Sequence, residues 1–232
     1  MSNAERCALP TILHRLKPAL SLEIGTYQGG SLQVLSDHSE KVVSLDIDPI
    51  VAQSLDGNFP NVEFRSGDSR TVLPQLVDEL NASRRAVQFV LIDGDHSADG
   101  VCRDIESVLK LNIWERLVVL MHDSFNPECR RGMKEARWSD NKHVHYVELD
   151  FTVGNFHAKA YDTAEAGSMW GGFACAVLEP HERRHELVVE ERQKAVFDAV
   201  FPLSVYAPKP ARSKLSVALE SILSRLGLGK PS

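Results

Sequence analysis

From residue 20 onward the chain alternates short apolar runs with segments in which apolar residues return every three or four positions. The runs at 20–24, 42–46, 62–66, 87–92 and 117–121 are too short for helices and nearly continuous in apolar residues, the pattern of strands buried on both faces. Between them, Leu73, Leu76, Val77 and Leu80 fall on one side of a helical wheel across 68–80, and Val101, Ile105, Val108 and Leu109 do the same in the next crossover. Beyond Asp123 the pattern predicts a helix near 127–137, an alternating strand at 143–150 and a seventh strand at 172–178. Strands alternating with amphipathic helices predict an α/β fold, a doubly wound and mostly parallel seven-stranded sheet covered by helices on both faces. The expected organisation is an N-terminal helical segment at 1–19, the sheet domain at 20–180, and a C-terminal helical extension at 181–232, where the composition turns charged and Pro202, Pro208 and Pro210 interrupt the chain.

Composition narrows the partners. With 43% hydrophobic and 25% charged residues the 232-residue chain can bury a sizeable core, and its net charge of −6 gives no general attraction for nucleic acid or an anionic membrane. A small molecule is the expected partner. Cys7, Cys102, Cys129 and Cys175 form no C-x-x-C pair, so they read as packing residues of a reducing compartment. The N-terminus shows no basic region followed by an apolar run, and no apolar stretch approaches the ~20 residues of a membrane span, which makes a cytoplasmic location the expectation.

In an open parallel sheet, ligands bind outside the carboxyl ends of the strands, so the residues after each strand carry the chemistry. The first strand runs into Glu23-Ile24-Gly25-Thr26-Tyr27-Gln28-Gly29-Gly30-Ser31, a glycine-rich turn opening a helix. Its spacing is wider than G-x-G-x-x-G, which argues against a nicotinamide dinucleotide. Asp46 ends the second strand about 20 residues beyond the glycines, where a carboxylate accepts from ribose hydroxyls. Asp68 and Ser69 follow the third, and Asp68 reads either as an acceptor for an adenine amino group or as the N-cap of the next helix.

The segments Leu22-Glu23-Ile24-Gly25-Thr26, Ser44-Leu45-Asp46-Ile47-Asp48 and Ile92-Asp93-Gly94-Asp95-His96-Ser97 resemble the motifs of class I S-adenosylmethionine-dependent methyltransferases. The subgroup they resemble holds macrolide sugar O-methyltransferases and cephalosporin-hydroxylase-like proteins, with catechol O-methyltransferase more distant. The resemblance covers about residues 20 to 180 and implies a Rossmann-like fold. It also implies that S-adenosylmethionine rests against Glu23, Gly25 and Ser31 at its methionine end, Asp46 at the ribose, and Asp68 with Ser69 at the adenine, with Thr26, Tyr27, Gly30 and Asp93 as further cofactor-binding residues.

Methyl transfer from a sulfonium is an in-line displacement with a good leaving group, so the protein must align the acceptor and take its proton. Strand four ends in Asp93-Gly94-Asp95-His96 and strand five in His122-Asp123-Ser124. Adjacent strand ends lie about 5 Å apart, which lets Asp93 and Asp123 converge on one cation, and oxygen ligation suits Mg2+. The resemblance implies metal ligands at Asp93 and Asp123 and a general base at His96. Ser124 stands where the subgroup often carries a further ligand, which weakens the expected metal site. His122 reads as an orienter of the site or, by preference, as a packed histidine. The bland alternative for Asp93 and Asp95 is capping of the helix beginning near Ser97.

His181-Glu182-Arg183-Arg184-His185 matches H-E-x-x-H, but it is saturated with charge, follows Pro180, and has no third ligand downstream. It is read as a solvated helical face, with a zinc hydrolase through His181 and His185 as the rival. Trp170 reads as core or as a wall of the acceptor pocket, and the loop 153–169 as a substrate lid. Leu215, Leu219, Ile222 and Leu226 share one face of a terminal helix, suited to docking on the chain itself or to a homodimer contact. The expected activity is methylation of a hydroxyl on a small acceptor such as a sugar or glycosylated metabolite, with a non-catalytic cofactor-binding protein as the alternative.

Overall fold

The computed structural model describes residues 1–158 and 165–208. In chain order the elements are α1 (Asn3–Leu16), β1 (Leu20–Ile24), α2 (Gly30–His38), β2 (Lys41–Asp46), α3 (Pro49–Leu55), β3 (Val62–Ser66), α4 (Ser69–Ala82), β4 (Phe89–Ile92) and α5 (Ala98–Val108). They continue with β5 (Leu117–His122), α6 (Pro127–Glu135), β6 (Val144–Thr152), β7 (Asn155–Phe156), β8 (Met169–Trp170), β9 (Phe173–Leu178), β10 (Val189–Glu190) and α7 (Lys194–Val200). The main sheet has the order β10-β6-β9-β5-β4-β1-β2-β3, parallel except where β9 runs antiparallel between β5 and β6.

The expected mostly parallel sheet is present, with a corrected strand count. Eight strands pair rather than seven, because Val189 and Glu190 return to pair with Val147 and Glu148 at the edge. Within 153–169, Asn155 and Phe156 pair with Trp170 and Met169 as a separate two-stranded ribbon, while residues 159–164 of the expected lid lie outside the described residues. The terminal helix expected around Leu215–226 also lies outside them. The H-E-x-x-H stretch is an exposed non-helical loop, not a solvated helix face, and helical structure after it is confined among the described residues to α7 and a 3₁₀ turn at Phe201–Leu203.

Strand alternation builds two cores, one on each face. Phe89 and Leu91 of β4 join Leu9, Leu13, Leu32 and Leu35 from α1 and α2, while Val90 and Ile92 join Leu73, Leu76, Val77, Val101 and Ile105 from α4 and α5. The helical wheels of α4 and α5 thus bury the residues their periodicity selects. Three crossover helices are fixed at their starts by side-chain caps: Asp48 for α3, Asp68 for α4 and Ser97 for α5. Asn126 caps α6, with Pro127 at its first position, and so sets the course of the chain just after β5. Cys129 and Cys175 are buried, Cys102 is half-buried, and Cys7 is exposed; all four are free thiols. No helix of the described residues is long and apolar enough to cross a membrane.

Candidate active site

The carboxyl ends of β1, β2, β3, β4 and β5 open on one cavity of about 1070 Å³. Gly25, Thr26, Tyr27, Gly30 and Ser31 form its floor at β1, and Asp46 stands at the end of β2. Asp68 and Ser69 follow from β3, Asp93 and His96 from β4, and Asp123 from β5. Of the residues expected to meet a cofactor, only Glu23 is absent from the lining: it lies wholly buried behind it, accepting from Ser31 Oγ at 2.6 Å and Ser44 Oγ at 2.7 Å. Burial raises the Glu23 carboxyl to about 7 against those two hydrogen bonds, which favour its charged form.

The turn after β1 is shaped by close approach. Gly25 has φ +91°, and a Cβ there would lie 2.1 Å from the carbonyl oxygen of Asp93, so only glycine lets β1 and β4 run this close. Asp46 Oδ2 accepts from the backbone N–H of both Thr26 and Tyr27 at 2.9 Å, and Oδ1 accepts from Asp48 N at 2.9 Å. A carboxylate offers about four lone-pair sites, so Asp46 both holds the turn and keeps capacity for a ligand hydroxyl. Asp68 serves as the N-cap of α4 through Arg70 N at 2.9 Å and is forked by the Arg70 guanidinium, while still facing the cavity. Asp95 takes the capping part of the alternative reading, accepting from Ser97 N at 2.8 Å.

At the far end of the cavity the acidic residues meet two imidazoles. His122 Nδ1 lies 3.0 Å from Asp93 Oδ1 and 3.4 Å from Asp123 Oδ1, and its Nε2 lies 3.3 Å from Glu5 Oε2. His96 Nε2 lies 3.0 Å from Asp123 Oδ2 and 3.7 Å from Asp93 Oδ1. Asp123 adopts φ +59° and receives Gly171 N–H at 2.6 Å, a backbone conformation held by the turn before β9. Trp170 packs edge-to-face on His96, ring centroids 5.5 Å apart.

These contacts set the charges. Asp123 and Asp93 hold His96 protonated, up to about 10 despite partial burial. Burial opposes charge on His122, yet Asp123, Asp93 and Glu5 together hold it well above the ordinary imidazole range. Burial likewise opposes charge on Glu5 and Asp123, but hydrogen bonds from His122 and from backbone N–H groups hold both carboxyls below their usual range.

Glu5 is not apparent from the sequence, and of the two readings of His122 the structure shows the orienting contacts rather than packing alone. Glu5 is wholly buried 117 positions from His122, and its sequence signal is only that of the capping box with Ser2. The donor set also differs from the all-oxygen one expected for magnesium. Asp93, His122 and Asp123 bring one ligand atom each within 4.8 Å of one another, two oxygens and an imidazole nitrogen. The space between the carboxylates is taken by ring nitrogens at ion-pair distances, an arrangement that fits imidazolium counter-charges rather than a hard divalent ion.

A family model described as a methyltransferase domain matches residues 22–124, the stretch from β1 to the turn after β5 that supplies most of the cavity. Over that stretch the chain is similar to this methyltransferase-domain family. The methyltransferase fold extends beyond that stretch. An O-methyltransferase from Bacillus cereus, solved in complex with SAH, superposes with a TM-score of 0.58 at 19% identity, covering 77% of this chain and 82% of that one. The O-methyltransferase TomG from Streptomyces achromogenes, involved in tomaymycin synthesis and solved with SAM, gives 0.56 at 17% identity, covering 78% and 82%. At such identities the likeness is one of fold. No curated protein matches the sequence.

Proposed function

We propose that the protein is an S-adenosylmethionine-dependent methyltransferase acting on a hydroxyl of a small molecule, a sugar or glycosylated metabolite being the expected class. The observation that carries this reading is the convergence of the Gly25 turn, Asp46, Asp68 and Asp93 on one cavity whose end is the His96–Asp123 pair. The solved relatives with SAH and SAM support the choice of cofactor. The residues fit it: Ile24, Leu45 and Ile47 offer apolar surface for the adenosine, and the acidic rim suits a cation carrying a sulfonium and an ammonium.

The cofactor supplies an activated methyl group. The chain supplies position and a proton acceptor. Asp46 receives the ribose hydroxyls, and Asp68 with Ser69 receives the adenine edge. His96, half-exposed at the cavity end, keeps its Nε2–H toward Asp123 when in its neutral form and takes the acceptor's proton on its other ring nitrogen, Nδ1. Asp123 orients His96, and Glu5 fixes Asp93 and Asp123 through His122. No step runs through a metal ion, and a magnesium ion between Asp93 and Asp123 would have to displace His96 from Asp123.

Calorimetry with S-adenosylhomocysteine, with and without magnesium, tests the cofactor reading; no binding in either condition defeats it. Release of S-adenosylhomocysteine over a panel of hydroxylated acceptors tests the chemistry. His96→Ala should abolish turnover and leave cofactor affinity nearly intact, and full turnover in that variant removes His96 from the mechanism.

A further inference from the structure

At the opposite rim of the sheet, where β6 begins and β9 ends, three histidines from two separate segments meet. His145 of β6 packs against His181 with ring centroids 4.7 Å apart and against His185 at 6.1 Å. They line an open cleft of about 720 Å³. The H-E-x-x-H stretch lacks a third ligand downstream, and the fold supplies a third imidazole from upstream.

Two details give this cluster the character of a ligand set. The His145 Nε2 lies 2.8 Å from the carbonyl oxygen of His181, which can only accept, so the ring proton is on Nε2 and the Nδ1 lone pair is left for a ligand. Imidazoles that bind metals are commonly fixed in tautomer by just such a bond to a backbone carbonyl. The loop carrying the other two rings is also held in place. Arg183 reaches back to the carbonyl oxygens of Ser139 at 2.6 Å and Val144 at 3.2 Å, and Arg183 N donates to Lys142 O at 2.8 Å. As they stand the three rings pack edge to face and do not bring one ligand nitrogen each within 4.8 Å of one another, as Asp93, His122 and Asp123 do with their ligand atoms. His181 and His185 are exposed, however, so binding would require only a rotation of their side chains. Glu182 lies against Lys142 Nζ at 3.5 Å, which places it as an ion-pair partner rather than as the water-activating acid of a hydrolase.

We propose that His145, His181 and His185 bind a divalent transition-metal ion of the zinc class, as three imidazole ligands with the remaining coordination open to water. Imidazole donors select zinc, copper or nickel over magnesium or calcium. The ion would pin the segment between β9 and β10 onto the start of β6, at the point from which Val189 and Glu190 join the sheet edge.

The test is titration of the full chain with zinc chloride by calorimetry, with magnesium chloride as the comparison, alongside thermal melts. Wild type should take up one equivalent of zinc at this site with a raised melting temperature, and magnesium should produce neither effect here. His145→Ala and His185→Ala should each weaken that zinc uptake about tenfold or more while melting in the metal-free state as wild type does. Zinc uptake that is unchanged in the His145→Ala/His185→Ala double variant would place the ion elsewhere, at Asp93, His122 and Asp123 for instance, and would overturn the proposal. Absence of zinc uptake by wild type would overturn it equally. Should either single variant fold poorly, the other, altered at a separate segment, carries the same comparison.

Discussion

Glu23→Gln isolates the cost of a carboxylate placed behind the cavity. Glu23 is wholly buried, and burial lifts its carboxyl from 4.5 to about 7 although Ser31 and Ser44 both donate to it. A folded-state value above the unfolded one means that the native protein holds a proton the unfolded chain has lost. Stability from this group is therefore full below about pH 4.5 and drains away as pH rises toward 7. Each pH interval of about one over which the two states differ by a whole proton is worth about 1.4 kcal/mol, so the loss between about pH 5 and pH 8 integrates to roughly 2 to 3 kcal/mol. Asp104, His96 and His122 also titrate with folded values above their unfolded ones, but they are common to wild type and variant and drop out of the comparison. Urea unfolding at the two pH values measures the effect. Wild type should lose the roughly 2 to 3 kcal/mol more than Glu23→Gln on going from about pH 5 to pH 8. Equal losses in the two proteins would mean that Glu23 is ionised throughout, and that the two serine hydroxyls outweigh burial.

Gly25→Ala should destabilise the fold by about 1–3 kcal/mol or more in urea unfolding, since φ +91° is combined with a contact to the Asp93 carbonyl that no side chain can relieve. Unchanged stability there would mean that β1 and β4 can separate. Asp46→Ala should weaken S-adenosylhomocysteine binding by on the order of 1.5–3 kcal/mol in calorimetry, because it removes charge-assisted acceptors for the ribose and frees the Thr26 and Tyr27 N–H groups that shape the turn. An unaltered affinity would put the ribose elsewhere. S-adenosylmethionine should gain affinity relative to S-adenosylhomocysteine as pH rises from 7 toward 10, because a sulfonium entering the rim competes with the proton on His96, whose value is about 10. Parallel pH profiles for the two ligands would separate His96 from the sulfonium.

The sheet and its cavity were legible because both rest on local patterns. A strand buried on both faces is a run of apolar residues, a crossover helix repeats every three or four, and the polar residue ending each strand of a parallel sheet points to the same rim. Thus Asp46, Asp68, Asp93 and Asp123 reach one cavity as their positions in the sequence suggest. Asp68 takes the capping reading, accepting from Arg70 N at the start of α4, and its place on the cavity wall leaves the adenine role to the proposal. What could not be read was carried by charged or polar residues meeting across long separations. Glu5 belongs to a helix before the first strand and joins the site through a single histidine, β10 is two residues with no periodicity, and His145 meets His181 only because β9 folds back beside β6.

The rim's charges suit the chemistry proposed for it. Glu5, Asp93 and Asp123 are three fixed carboxylates, and His122, held between them, cancels one and keeps the other two aimed at the cavity. His96 is the exchangeable part, exposed enough to meet an acceptor and held by Asp123 at 3.0 Å. Methyl transfer turns a sulfonium into a neutral thioether and sets free one proton from the hydroxyl. If His96 enters neutral and leaves protonated, the positive charge moves from sulfur to imidazole and the net charge of the rim is the same before and after. A buried site pays heavily for any change in net charge, so a base surrounded by carboxylates favours the step that a neutral surrounding would oppose. The same carboxylates make His96 reluctant to be neutral beforehand, and the arriving sulfonium is the charge that offsets them.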